Sequence, residues 1–235
     1  MTSPSDVGAE IARRGTPVVF IDTCSILDLI RGPRDKFSAQ HAASGVALLE
    51  LCEKEATTLV LPQQVIEELT ANLEERILDG RRGVDKLNLQ LSEINAIVKA
   101  YGQELPDHTN VSGTVYAEGG RAVVERFQEI AIVAGTTDNV RLRAMDRVSA
   151  SRAPAKRGKD SLQDCVVLET CYETIDHARR IGFAAPAHFL SANVDEYLES
   201  KGRLQPVLIS EFGNRDLHFW DNFAALRYTA GIREL

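Results

Sequence analysis

Apolar and polar residues fall into blocks along this chain, and the blocks change period in a regular order. Residues 17–21 form a short continuous apolar run, Pro17 then Val18, Val19, Phe20 and Ile21, which predicts a strand buried on both faces. Asp22 follows directly, and residues 24–31 then take helical spacing until Gly32 and Pro33 stop them. Between 40 and 55 the apolar Val46, Leu48, Leu49 and Cys52 recur at helical intervals, and 57–61 return to a strand pattern ending in Leu59, Val60 and Leu61. Pro62 suits the first turn of a helix whose apolar stripe is Val65, Ile66, Leu69 and Leu73.

The middle of the chain reads differently. Residues 84–101, 121–134 and 138–150 predict helices, with a polar segment at 102–120 that contains Pro106. The stretch of about 72–155 shows no strand pattern and predicts a helical insertion, closed by a loop at 151–158. The helix predicted at 160–181 presents Leu162, Cys165, Val166, Leu168, Cys171 and Ile175 as its inward face, and Gly182 breaks it. A third strand is expected at 188–191, a helix at 194–200, a last strand at 206–209, and a terminal helix at 217–233 that packs Phe219 and Trp220. Alternating strands and helices predict an α/β fold. We expect one domain over residues 1–235, a three-layer α/β/α sandwich with a central, mostly parallel sheet.

Composition narrows the classes of function. The 235 residues are 44% apolar and 26% charged, as in an ordinary globular protein, and no run approaches the roughly 20 apolar residues that span a bilayer. The first residues lack the basic start and apolar stretch of a signal peptide, so a cytoplasmic location with no membrane partner is expected. Cys24, Cys52, Cys165 and Cys171 form no C-x-x-C pair, and the five histidines no H-E-x-x-H motif, which argues against structural zinc and histidine-based metal binding. A net charge of −7 argues against attraction of nucleic acid by the whole surface, leaving two local basic clusters, Arg81 with Arg82 and the stretch 152–159.

The acids are placed more tellingly than the bases. Asp22 ends the first strand, Glu68 lies on the helix entered from the second, Asp160 and Asp164 open the helix at 160–181, and Asn193, Asp195 and Glu196 follow the third strand. In a parallel sheet all of these positions point to one edge, the crevice where ligands bind in open α/β folds. Carboxylates gathered there repel one another unless a cation neutralises them. Hard oxygen donors select Mg²⁺ or Mn²⁺, and such ions support phosphodiester hydrolysis.

Four segments then resemble the motifs of PIN-domain nucleases, in the same order. Residues 20–27, with Asp22-Thr23-Cys24-Ser25 at their centre, resemble the opening motif, in which a strand delivers Asp-Thr-Asn before an apolar helix. Residues 61–69 are similar to the second motif, whose metal-ligating acid directly precedes the leucine, which selects Glu68 over Glu67. Residues 159–169 resemble the third, pointing to Asp164, with Asp160 as the second acid of larger bacterial members. Residues 189–197 resemble the strand-end motif Thr-x-Asp/Asn-x-x-Asp-Phe, with Asn193 and Glu196 at its polar positions. Two positions depart from the pattern: Cys24 stands for the usual Asn, and Glu196-Tyr197 for Asp-Phe.

The resemblance implies a metal-dependent endoribonuclease. Asp22, Glu68, Asp164 and Asn193 would be catalytic, and Asp22, Glu68, Asp160, Asp164 and Glu196 would hold Mg²⁺ or Mn²⁺. Lys156, Arg157, Lys159, Thr23 and Ser25 are the candidate contacts to RNA. A second copy of the chain and an antitoxin or other protein are the further partners it implies. The alternative is a PIN-like module that binds RNA or protein without cleaving. A haloacid-dehalogenase phosphatase would need a second acid where Cys24 stands, and neither a Walker A loop nor a G-x-G-x-x-G turn is present.

Overall fold

Four apolar residues in a row make β1 (Val18–Ile21), and all four are buried. The five residues of β2 (Thr58–Pro62) are buried as well, as required of central parallel strands covered on both faces. The computed structural model describes residues 2–31, 38–103, 110–199 and 202–229. Gly32, Pro33 and Pro106, expected to break helices, lie outside them.

The chain opens with α1 (Pro4–Arg14). The Ser3 hydroxyl accepts from the Asp6 N–H, Pro4 occupies the first turn, and Gly15 closes the helix at φ 64°, a start and a stop signal that together set its length. After β1 come α2 (Thr23–Asp28), α3 (Ala39–Glu53), β2, and then α4 (Gln63–Ala100), a single helix of 38 residues. The separate helix predicted at 84–101 is the outer half of α4. Gly80 and Gly83 weaken helix propensity but do not interrupt it. At Gly80 an added Cβ would lie 2.4 Å from the Ile30 carbonyl oxygen, so glycine there permits the close approach of the chain end of α2.

The next elements are α5 (Gly113–Ile130), β3 (Ile132–Ala134), α6 (Asp138–Ser149), α7 (Leu162–Arg180), β4 (Ala187–Leu190) and α8 (Val194–Tyr197). The chain finishes with α9 (Pro206–Gly213), β5 (Leu217–Trp220) and α10 (Phe223–Thr229). Several expectations change here. The stretch 72–155 is not wholly helical, because residues 132–134 pair in parallel with β2; a three-residue strand is too short to show a period. Residues 206–209 are the first turn of α9, where proline's fixed φ suits a helix start and Leu208 and Phe212 bury one face four residues apart. The last strand is instead 217–220, whose His218, Phe219 and Trp220 align with β4. Trp220 therefore sits on a strand, where its indole N–H donates to His188 Nδ1 at 3.1 Å. Leu162, expected to face inward, is exposed in the first turn of α7.

All five strands are parallel in the order β3-β2-β1-β4-β5, giving the α/β class with abundant helix that the alternation predicts. The order reverses between β1 and β4, so the crevice at their carboxyl ends is the topological switch point of the sheet. On the flank of α7, buried Arg147 of α6 donates to Glu169, to Glu211 at 2.6 Å and to the Ala153 carbonyl at 2.6 Å. That network ties α6 and α9 to the helix that carries Asp164. No helix among the described residues is long and apolar enough to cross a membrane.

Candidate active site

At the switch point β1 delivers Asp22 and β4 delivers Ser191. The Asp22 N–H bonds the Leu190 carbonyl at 2.9 Å, which continues the sheet one residue beyond β1 and fixes where the carboxylate projects. Asp22 is 3% exposed and has three donors. Its Oδ1 accepts from the Thr23 N–H at 2.8 Å, which caps α2, while Oδ2 accepts from Ser191 Oγ at 2.7 Å and from the Cys24 thiol at 3.4 Å. Burial raises its pKa above the ordinary aspartate value. The Ser191, Cys24 and Thr23 donors act in the opposite direction, and the charge of Glu68 adds to the rise.

Asp164 stands in the first turn of α7 and Glu196 in α8, bridged by Asn193. The Asn193 amide donates to Glu196 Oε2 at 2.8 Å and approaches Asp164 Oδ1 at 3.5 Å, and the Asn193 N–H donates to Ser191 Oγ at 3.2 Å. Burial, a hydrogen bond shared with Glu196, and the charges of Asp22, Glu196 and Glu68 push the Asp164 carboxyl up to about 8. Glu68, half-buried on the second turn of α4, accepts from the Gln64 amide at 3.0 Å, and Asn72 bonds its carbonyl at 2.7 Å. The charge of Glu68 thus acts on Asp22, and those of Asp22, Glu196 and Glu68 act on Asp164.

The remaining sequence candidates take different places. Asp160 is exposed, before the start of α7, and enters none of the contacts that join the four acids. Thr23 is buried, with its hydroxyl unpartnered among the described residues, and Ser25 Oγ accepts from the Ala192 N–H at 2.8 Å, holding the end of β4 against α2. Ser25 also borders a cavity of about 560 Å³. Lys156, Arg157 and Lys159 lie on the loop into α7, where Gly158 has φ 80°; Arg157 and Lys159 are exposed and Lys156 is half-buried, its N–H bonding Ser161 Oγ at 3.4 Å.

Sequence reading passed over Ser191, which is fully buried and joins Asp22 to Asn193. Its signal was the Thr of the Thr-x-Asn pattern, whose place Ser191 fills. It also left open what Cys24 does: the thiol hydrogen-bonds Asp22 directly, and burial beside that carboxylate pushes it well above the ordinary cysteine value. Tyr197, in the aromatic position of the motif, is fully buried and stacks on Phe219, and its hydroxyl has no hydrogen-bond partner among the described residues.

Among known proteins, no curated protein and no solved structure matches the chain. The family model for the PIN domain matches residues 19–197, the span from β1 through α8 that contains Asp22, Glu68, Asp164, Asn193 and Glu196. With about three quarters of its length matched, the chain belongs to the PIN domain family.

Proposed function

We propose that this protein is a Mg²⁺- or Mn²⁺-dependent endoribonuclease whose centre is the acid group at the switch point. The observation that carries the reading is the convergence of carboxylates at the switch point: Ser191 joins Asp22 to Asn193, Asn193 reaches both Asp164 and Glu196, and Glu68 is close enough to act on Asp22 and Asp164. Burial and neighbouring carboxylates raise the pKa of Asp22 and of Asp164, a penalty that a bound cation would relieve. The donors are carboxylates and an amide with no imidazole, the set preferred by hard divalent ions.

Among the described residues no three His, Cys, Asp or Glu side chains stand as a ready-made three-ligand site. Mg²⁺ commonly uses one or two carboxylates and keeps several waters, so the arrangement suits it. Asp22, Glu68 and Asp164 would hold the ion directly or through water, with Glu196 and Asp160 as outer candidates. When bound, the ion supplies an activated water and neutralises charge developing on the phosphodiester. Ser191 and the Thr23 N–H fix the rotamer of Asp22, and Asn193 keeps Asp164 and Glu196 from turning apart. Lys156, Arg157 and Lys159 supply phosphate contacts beside Asp164.

The test is cleavage of labelled RNA and single-stranded DNA with Mn²⁺ by wild type, Asp22→Asn and Asp164→Asn. RNA cleavage lost in both variants is expected. Equal cleavage by all three would refute the acid centre, and RNA bound but uncleaved by wild type would leave the non-catalytic module.

A further inference from the structure

Between α2, α4 and α8 lies a cavity of about 330 Å³ lined by Cys24 and Asn193, which hydrogen-bond Asp22 and Glu196. It adjoins one of about 560 Å³, and the two share Asp28, Arg31, Ala192, Asn193 and Asp195 on their walls. The smaller begins at Cys24, the thiol on Asp22, and its far wall carries Arg76. Arg31 is paired with Asp28 at 3.0 Å. Arg76 is half-buried and has no hydrogen bond or ion pair among the described residues, whereas every other buried or half-buried described arginine has one.

A guanidinium with no partner of its own keeps a planar fork of five donors that matches an oxyanion such as a phosphate. Arg76 lies eight residues beyond Glu68 on the same helix, about 12 Å along its axis. Its place in the cavity that Cys24 also lines puts it beside the path of a strand bound at the acid group. The geometry points to Arg76 as the contact that seats the RNA strand in this cleft, so the substrate leaves the acid group along α4 as well as past the 156–159 loop. The inference rests on the nuclease reading and adds the path of the substrate to it.

RNA binding by fluorescence anisotropy in the uncleaving Asp22→Asn background tests it. Arg76→Gln should weaken single-stranded RNA about tenfold and reduce the slope of log affinity against log salt by about 0.7, one phosphate contact. Arg76→Lys should recover part of the affinity, since it keeps the charge and loses the fork. An unchanged melting temperature in Arg76→Gln is expected, because the side chain has no partner to lose. Unchanged RNA affinity and salt slope in both Arg76→Gln and Arg76→Glu, with wild type cleaving RNA in an Asp22-dependent way, would overturn this inference alone. Absence of RNA binding and cleavage in every protein would overturn it together with the nuclease reading.

Discussion

Removing the charge of Asp164 should reshape the pH dependence of folding in the absence of metal. The folded carboxyl titrates at about 8 against an ordinary 3.8, because it is buried, hydrogen-bonded to Glu196 and faced by Asp22, Glu196 and Glu68. Between those values the folded chain holds a proton that the unfolded chain releases. The stabilisation is therefore fully present below pH 3.8 and lost as pH rises through about 8. At 1.36 kcal/mol per tenfold in proton affinity, the gap corresponds to roughly 5–6 kcal/mol. Asp164 is only partly buried and is hydrogen-bonded to a neighbouring carboxylate, Glu196, which reduces the expectation to about 3 kcal/mol. For a chain of this length that is about 6–12 °C in melting temperature. In EDTA, wild type should lose that much more stability than Asp164→Asn between about pH 5 and about pH 9, since asparagine has no proton to release. Adding Mn²⁺ at the alkaline end should restore wild type and leave the variant nearly unmoved. Parallel melting curves for the two proteins across the whole range would refute the argument.

Three other substitutions probe the frame around the site. Tyr197→Phe removes a buried hydroxyl that has no partner and should raise stability by about 1 kcal/mol in urea unfolding; a loss would mean the hydroxyl is satisfied. Arg147→Ala leaves Glu169 and Glu211 without their buried counter-charge and should cost about 3–5 kcal/mol, read from the shift of the unfolding midpoint. Gly80→Ala would raise helix propensity on an open helix, yet here its Cβ meets the Ile30 carbonyl at 2.4 Å. It should destabilise by about 1–3 kcal/mol, and a gain in melting temperature would show that α2 and α4 can part freely.

Much of this was legible in the chain because burial on both faces leaves continuous apolar runs, which β1 and β2 show plainly. The acids were legible for a related reason: a carboxylate at the end of such a run has few structural explanations. The edge strands hid themselves. β3 has three residues, and β5 is half open to solvent, with a pattern that a short helix could share. Residues 206–209 misled because Pro206 followed by three apolar residues suits a buried strand and a helix start equally, and only the burial of Phe212 one turn later decides between them. Arg76 could not be found in the sequence, since its distinction is the absence of a partner, a property of packing and not of spacing.

The contact of Gly80 with the carbonyl of Ile30 has a consequence for how this fold tolerates change in length. An α-helix turns about 100° per residue, so the contact sets the rotational phase of α4 for everything on its inner side, Glu68 included. One residue inserted between Glu68 and Gly80 would swing that carboxylate about 100° away from Asp22. One inserted beyond Val84, the last buried residue of the helix, would only turn and lengthen the outer end. Along a helix of about 57 Å, insertions and deletions can therefore accumulate at one end while the other stays in register.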